Sequence, residues 1–370
     1  MKNKIAIISI SLAAIVIFLF IFLFYKKNTR NAVDNFVESR KMINILIAGS
    51  NVYKKNKHIF YAILSINPEK SKIGITFIPP EYRVDFNGKG KNFNKISEIN
   101  INDFNDLSKS LGRDLKINIP FYVVLYSPDV ERFIDLINGI ELYVLDGMNI
   151  HGINFGLNYF NGDKVNQYIN SVEENSIYKK YDRIQNILLT LFYNKEKYEK
   201  FFNIEFISEI IKTVKTNLLP QEILSLTKLL RKKNSDLICT VLPGFSGKDG
   251  FYAIDEIAYK IYSKEFLRKL VVDDESEQQV KVKILNGTDV AGLARKIRYK
   301  FVTQGFNVLE FGTAPYPAFE KTVIINRRGE IGPVKKVADL LGVTNIYHIV
   351  DSSQLTNVLI IIGSDLAKYK

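Results

Sequence analysis

An uncharged apolar run from Ile5 to Tyr25 opens the chain, bracketed by Met1-Lys-Asn-Lys4 and Lys26-Lys27. About 20 apolar residues suffice to cross a bilayer as a helix. Phe18 to Tyr25 holds no small-residue cleavage site of the kind a secretory signal carries. The run therefore predicts an uncleaved transmembrane anchor over 5–25 after a tip at 1–4, with a polar connector or short helix over 26–41. Positive charge flanks both ends, so the charge pattern alone does not orient it.

From Met42 the pattern changes to short apolar runs broken by turn residues. Lys41 to Ala48, His58 to Ile66 and Lys72 to Ile78 read as buried strands, with Gly49-Ser50 as a turn beside a polar crevice. Phe104, Leu107 and Leu111 predict a helix over 103–111, and Pro120 to Tyr126 a strand. Pro128 starts a helix that Gly139 ends as a C-cap, before a strand from Ile140 to Leu145. Lys179 to Tyr198 is an amphipathic helix with Ile184, Ile187, Leu188, Leu191 and Phe192 on one face. Helices continue through Leu230, broken at Pro220. Strands alternating with helices predict an α/β domain around a central sheet, over 42–268.

Val272 to Gln279 is acidic and aperiodic, so 269–279 reads as a linker. Beyond it, 280–370 reads as a small α/β domain, a size that folds alone. Val280 to Leu285 alternates like a half-buried strand, and Asn286-Gly287 is a turn. Thr288 is the expected N-cap of a helix carrying Val290, Leu293, Ala294, Ile297 and Phe301. Phe306 to Phe311 and Thr322 to Asn326 are strands. A helix from Pro333 ends at Gly342, and Ile346 to Val350 and Asn357 to Ile362 are the last strands.

The net charge of +12 favours anionic partners in principle. The lysines are scattered, however, and no nucleic-acid recognition motif appears, so no nucleic-acid role is expected. His58, His151 and His348 lack metal-ligand spacing. Gly244-Phe-Ser-Gly-Lys-Asp249 fails the glycine spacing of a phosphate loop and reads as a polar turn. The single cysteine, Cys239, sits in an apolar context and reads as buried and inert. No nucleophile elbow or Cys-His pair points to covalent catalysis.

Ile43 to Asn51, Ile63 to Pro68, Ile73 to Pro79 and Asn94-Lys-Ile96, with Phe133-x-x-Leu-x-Asn-Gly139, resemble the LytR-CpsA-Psr family of bacterial cell-envelope transferases. Ile284-Leu-Asn-Gly-Thr288, Ala291-Gly-Leu-Ala294 and Gly305-Phe306 resemble the LytR C-terminal domain. The resemblance implies an α/β/α catalytic domain on a single-pass anchor, N-terminus inside and bulk outside the cytoplasmic membrane. It implies transfer of a glycopolymer from polyprenyl pyrophosphate to peptidoglycan. That chemistry needs arginines for the pyrophosphate, carboxylates for magnesium, and an apolar tunnel for the lipid.

Most of the charged positions differ here. The family's Gly-Ser-Asp is Gly49-Ser50-Asn51. Its Arg-x-Asp-Thr falls on Lys57, Ile59 and Phe60. Ile-Pro-Arg-Asp becomes Ile78-Pro-Pro-Glu81, with Arg83 kept. Tyr-x-Arg-x-Arg falls on Tyr168, Asn170 and Val172. A late Asp-x-x-Arg-x-x-Arg-Gln falls on Ile177, Lys180, Arg183 and Ile184, with Gln185 one place on. The resemblance thus implies Arg83, Arg183 and Glu81 as the catalytic remnant. It implies Lys57, Lys95, Lys180, Asn51 and Gln185 as pyrophosphate or lipid contacts. With carboxylates lost at 51 and 59, no metal site is expected, and reduced or absent turnover is. The alternative is a non-catalytic module that binds polyprenyl phosphate or peptidoglycan.

Overall fold

The computed structural model describes residues 31–50, 58–86, 93–99, 104–145, 150–171, 177–201, 204–212, 214–231, 235–272, 279–316 and 319–369. The apolar run 5–25 lies outside these residues. Among the described residues no helix is long and apolar enough to cross a membrane.

Helix α1 (Ala32–Glu38) leads into β1 (Ile43–Ser50), β2 (His58–Asn67) and β3 (Lys72–Ile78), an antiparallel meander. A ribbon of β4 (Arg83–Val84) and β5 (Asn94–Lys95) follows, then helix α2 (Phe104–Leu115). β6 (Phe121–Tyr126) returns parallel to β1 and runs into α3 (Ser127–Leu136). The hairpin β7 (Ile140–Val144) and β8 (Gly156–Phe160) leads to α4 (Gly162–Asn170) and α5 (Ile177–Tyr193). Helix α6 (Ile204–Ile211), β9 (Lys215–Thr216), α7 (Pro220–Leu230) and β10 (Asp236–Val241) come next. The hairpin β11 (Phe245–Ser246) and β12 (Tyr252–Ala253) and helix α8 (Glu256–Tyr262) complete this part. The central sheet runs β10-β3-β2-β1-β6-β9.

Both faces of that sheet are covered, so β1 is buried along nearly its whole length rather than alternating. Leu46, Ala48 and Ile63 pack with Leu107 and Leu111 of α2 and with Phe266 and Leu270 beyond α8. Ile43, Ile45, Ile73 and Phe77 pack with α5 and α7 through Tyr181, Leu189, Leu226 and Leu229. The result is the three-layer α/β/α arrangement expected.

The second sheet, of order β14-β13-β17-β15-β16, uses β13 (Lys281–Asn286), β14 (Asn307–Thr313), β15 (Val323–Asn326), β16 (Ile346–His348) and β17 (Val358–Ile362). Helices α9 (Leu293–Thr303) and α10 (Ile331–Leu341) cover one face. The other face, with Ile325, Leu359 and Ile361, meets Tyr143 of β7. The seam is polar elsewhere. The Val350 N–H donates to Asn186 Oδ1 at 2.6 Å, and Ser352 donates to Asp182 from its N–H at 3.0 Å and its hydroxyl at 3.1 Å.

Three local expectations change. Gly49 is not in a turn. It belongs to β1, whose register shifts between Gly49 and Ser50. Thr288 does not cap a helix, and Val290 is not helical: α9 starts at Leu293, with Gly292 at φ 78° as its cap. Asn286 Oδ1 takes the Thr288 N–H at 3.1 Å and its hydroxyl at 2.8 Å. Thr288 Oγ1 in turn accepts from the Val290 N–H. These local side-chain bonds compete with helix formation. Finally, the apolar segment around Cys239 is strand β10, parallel to β3. Cys239, expected to be buried, is half-buried there, and desolvation of its thiol pushes its pKa up to about 12.

Candidate functional site

The face of the central sheet toward α5 and α7 is not filled. An apolar cavity of about 300 Å³ lies between them. Ile47, Ala62, Leu64, Ile75 and Phe77 supply its sheet side. Ile184, Leu188, Leu191 and Phe192 come from one stripe of α5, spaced as helical periodicity requires. Phe133 of α3 and Leu230 of α7 complete the wall, and Lys195, Tyr198 and Arg231 stand at its edge. Apolar cavities of about 150 Å³ already stay dry and admit small hydrocarbons. This one is twice that size, and unfilled it forfeits dispersion contacts along its lining.

Phe60, Leu125 and Ile184 also line a second, small crevice of about 40 Å³. It sits at the carboxyl ends of the parallel pair β1 and β6, where open α/β sheets present ligand sites. Gly49, Ser50, Tyr126, Ser127, Asn166 and Asn170 give it its polar groups. The Tyr126 N–H is satisfied by Asp129 at 3.0 Å. Among the described residues its lining carries no charged side chain. Asn170, at one of the positions where the family pattern has arginine, faces this crevice.

The predicted site residues divide into groups. Arg83 and Lys95 stand directly opposite each other across β4 and β5, so two cations share one end of the ribbon. The Arg83 guanidinium lies 4.4 Å from the Phe93 ring centre. Glu81 is exposed just before them, and its carbonyl accepts the Tyr252 N–H at 2.9 Å. Its charge reaches the buried Tyr181 hydroxyl, which donates to the Ile78 carbonyl at 2.8 Å. Arg183 faces elsewhere: it donates to the Tyr168 carbonyl and the Ser171 hydroxyl, capping the carbonyl end of α4. Its ring contact is Tyr168, at 5.0 Å, and burial pulls its pKa below the ordinary arginine value.

Lys180 is half-buried on α5. Gln185 is buried and turned to the second domain, with its Oε1 3.4 Å from where a side chain on Gly329 would begin. Asn51 and Lys57 lie outside the described residues. The spacing of α5 gave its apolar stripe but not the void beside it, and Tyr126 and Asn166 carried no sequence signal. No three His, Cys, Asp or Glu side chains converge among the described residues. The described lining of the crevice offers neutral hydroxyls and amides rather than the carboxylates that hold magnesium.

A family model described as "LytR_cpsA_psr family" matches residues 24–266, and one described as "LytR cell envelope-related transcriptional attenuator" matches residues 279–366. No curated protein matches significantly. Among solved structures, TagV of B. subtilis is similar at 17% identity, covering 62% of this chain and 98% of that one, with a TM-score of 0.50. TagT bound to LIIa-WTA is similar at 16% identity, covering 62% and 91%, with a TM-score of 0.51. A protein of Enterococcus faecalis titled a transcriptional regulator, EF0465, is similar at 15% identity, covering 63% and 89%, with a TM-score of 0.52. At these identities the likeness concerns the fold.

Proposed function

The chain belongs to the LytR-CpsA-Psr family, and from that premise we propose that it holds a polyprenyl-linked glycopolymer at the cell envelope. The observation that carries this reading is the 300 Å³ apolar cavity ending beside the crevice at Gly49 and Ser50. A polyprenyl chain is a flexible hydrocarbon, and burying it removes apolar area from water at about 25 cal/mol per Å². TagT, similar in fold, has LIIa-WTA bound, which supports a ligand site in this fold. The apolar run 5–25 would tether the protein to the cytoplasmic membrane, with the two α/β domains outside.

In this reading the cavity takes the tail and excludes water from it. Ser50, Tyr126, Asn166 and Asn170 hydrogen-bond the head, and the Arg83–Lys95 pair neutralises phosphate charge. A crevice lined by neutral groups stabilises developing charge on a leaving phosphate less than arginines do. Holding the polymer is therefore the main activity, with peptidoglycan the other envelope partner. Transfer is the second reading, favoured by the adjacency of Arg83 and Lys95: an acceptor hydroxyl would displace polyprenyl phosphate from the glycan-bearing phosphorus.

Native mass spectrometry of the full chain in detergent, with a polyprenyl-pyrophosphate glycan and with or without magnesium, tests both. Intact bound ligand supports holding. Release of polyprenyl monophosphate supports transfer. No bound lipid overturns both.

A further inference from the structure

We propose that the junction of the two domains contains a subsite for one neutral sugar ring of a glycan strand. This inference uses a cavity separate from the lipid cavity and does not rest on the lipid reading. It holds about 190 Å³, between the outer face of the second sheet and the loop that precedes β8. Leu285, Leu359 and Ile361 form an apolar floor. Phe155 from the first domain and Phe319 from the second form aromatic walls, with ring centres 5.9 Å apart at 85°. Tyr316 extends the wall outward, 4.4 Å from Phe155, and is half exposed.

The walls are fixed in place. The Phe319 N–H donates to the Gly287 carbonyl at 2.9 Å, and the Phe319 carbonyl accepts from Ser364 at 2.9 Å. A Cβ at residue 287 would come 2.5 Å from the Phe319 ring. The Asn286-Gly287 pair, which the sequence marks as a turn, is thus what admits this wall.

Charge chooses the ligand class. Lys283 reaches the cavity but pairs with Glu310 at 2.7 Å, and Arg327 reaches it but pairs with Asp351 at 2.9 Å. Two cations balanced by two carboxylates leave no net charge to select an anion. Thr356 adds a neutral hydroxyl, and Gln354, whose side chain also hydrogen-bonds Asp351, lies beside it. A wholly apolar ligand would bury that polar edge without partners, which is costly. A pyranose has an apolar face for the aromatic walls and floor and hydroxyls or an acetamido group for the polar edge.

The test titrates the full chain, in a detergent without a sugar headgroup, with chitotetraose. Saturation-transfer NMR and calorimetry read binding. Wild type is expected to bind, with ring protons of the sugar saturated most. Phe155→Leu and Thr356→Val should each weaken binding by about fivefold, and Thr356→Val should do so at an unchanged thermal midpoint. Tyr316→Ala, on the exposed rim, gives a third variant that does not disturb the core. Saturating geranylgeranyl pyrophosphate should not displace the sugar. No binding of chitotetraose by wild type, unchanged binding in all three variants, or stronger binding of an oligogalacturonate each overturns the proposal. Failure of the lipid alone to bind would leave it standing.

Discussion

The Phe60 ring lies directly over Gly49: a Cβ at that glycine would meet a ring carbon at 2.3 Å. The two residues pair across β1 and β2, and Phe60 lines both the lipid cavity and the crevice. A residue without a side chain therefore sets the boundary between the compartments proposed for tail and head. Gly49→Ala must displace the ring. The expected cost is about 1–3 kcal/mol, as for overpacking in a core, read as a lowered thermal midpoint together with weaker uptake of geranylgeranyl pyrophosphate.

Filling the cavity should separate binding from stability. Leu188→Trp puts an indole into space that is empty without ligand. Titration calorimetry should show lipid uptake abolished while the thermal midpoint stays within a few degrees of wild type. A Leu188→Trp protein that still binds the lipid would mean that the tail lies elsewhere.

The facing cations of the ribbon should matter for the phosphate and not for the tail. Removing Arg83 and Lys95 together is expected to weaken geranylgeranyl pyrophosphate about tenfold and leave geranylgeraniol unaffected. The effect should shrink in high salt, because both side chains are reached by solvent. Equal losses for pyrophosphate and alcohol would assign the pair a structural role.

The domain seam depends on Asn186, which donates to the Tyr168 hydroxyl at 2.8 Å while accepting from Val350 at 2.6 Å. Asn186→Leu strands both buried groups, at an expected cost of about 2–4 kcal/mol. Adding Tyr168→Phe removes one of the stranded groups and should recover part of that loss, a non-additivity that a double-mutant cycle by calorimetry resolves.

His348 stacks on Tyr193 at 5.3 Å across the same seam, and burial pushes its pKa down to about 4 from 6.5. Above pH 6.5 the imidazole is neutral in both states and has no linkage effect. Between pH 6.5 and 4 the unfolded chain binds a proton that the folded one refuses, so stability falls as pH falls. The full difference is about 3 kcal/mol. Denaturant unfolding of wild type and His348→Asn across that window should show a shallower pH slope in the variant.

The sequence determined elements wherever one residue type had a local physical job. Gly342 caps α10 at φ 68°, whereas α3 ends at Leu136 with Ile137 as its cap, and Asn138 enters the left-handed region at φ 63° before Gly139 at 72°. Period-two and continuous apolar runs marked most strands of both sheets, and the order of motifs carried the family. Asn286 misled, because its side chain captures Thr288 and delays α9 by several residues, a competition that capping preferences alone do not weigh. The tertiary structure decided the rest. Periodicity says that the Leu188 face of α5 is apolar, but not whether anything fills the space it faces. That void is set by side chains from strands, α3 and α7 lying far apart in the chain. Arg83 meets Lys95 only through strand register, and Arg183 turns to α4 because orphaned carbonyls lie within its reach. Gln185, one residue from a cavity-lining isoleucine, faces the second domain because a step of about 100° around a helix changes which neighbour a side chain meets.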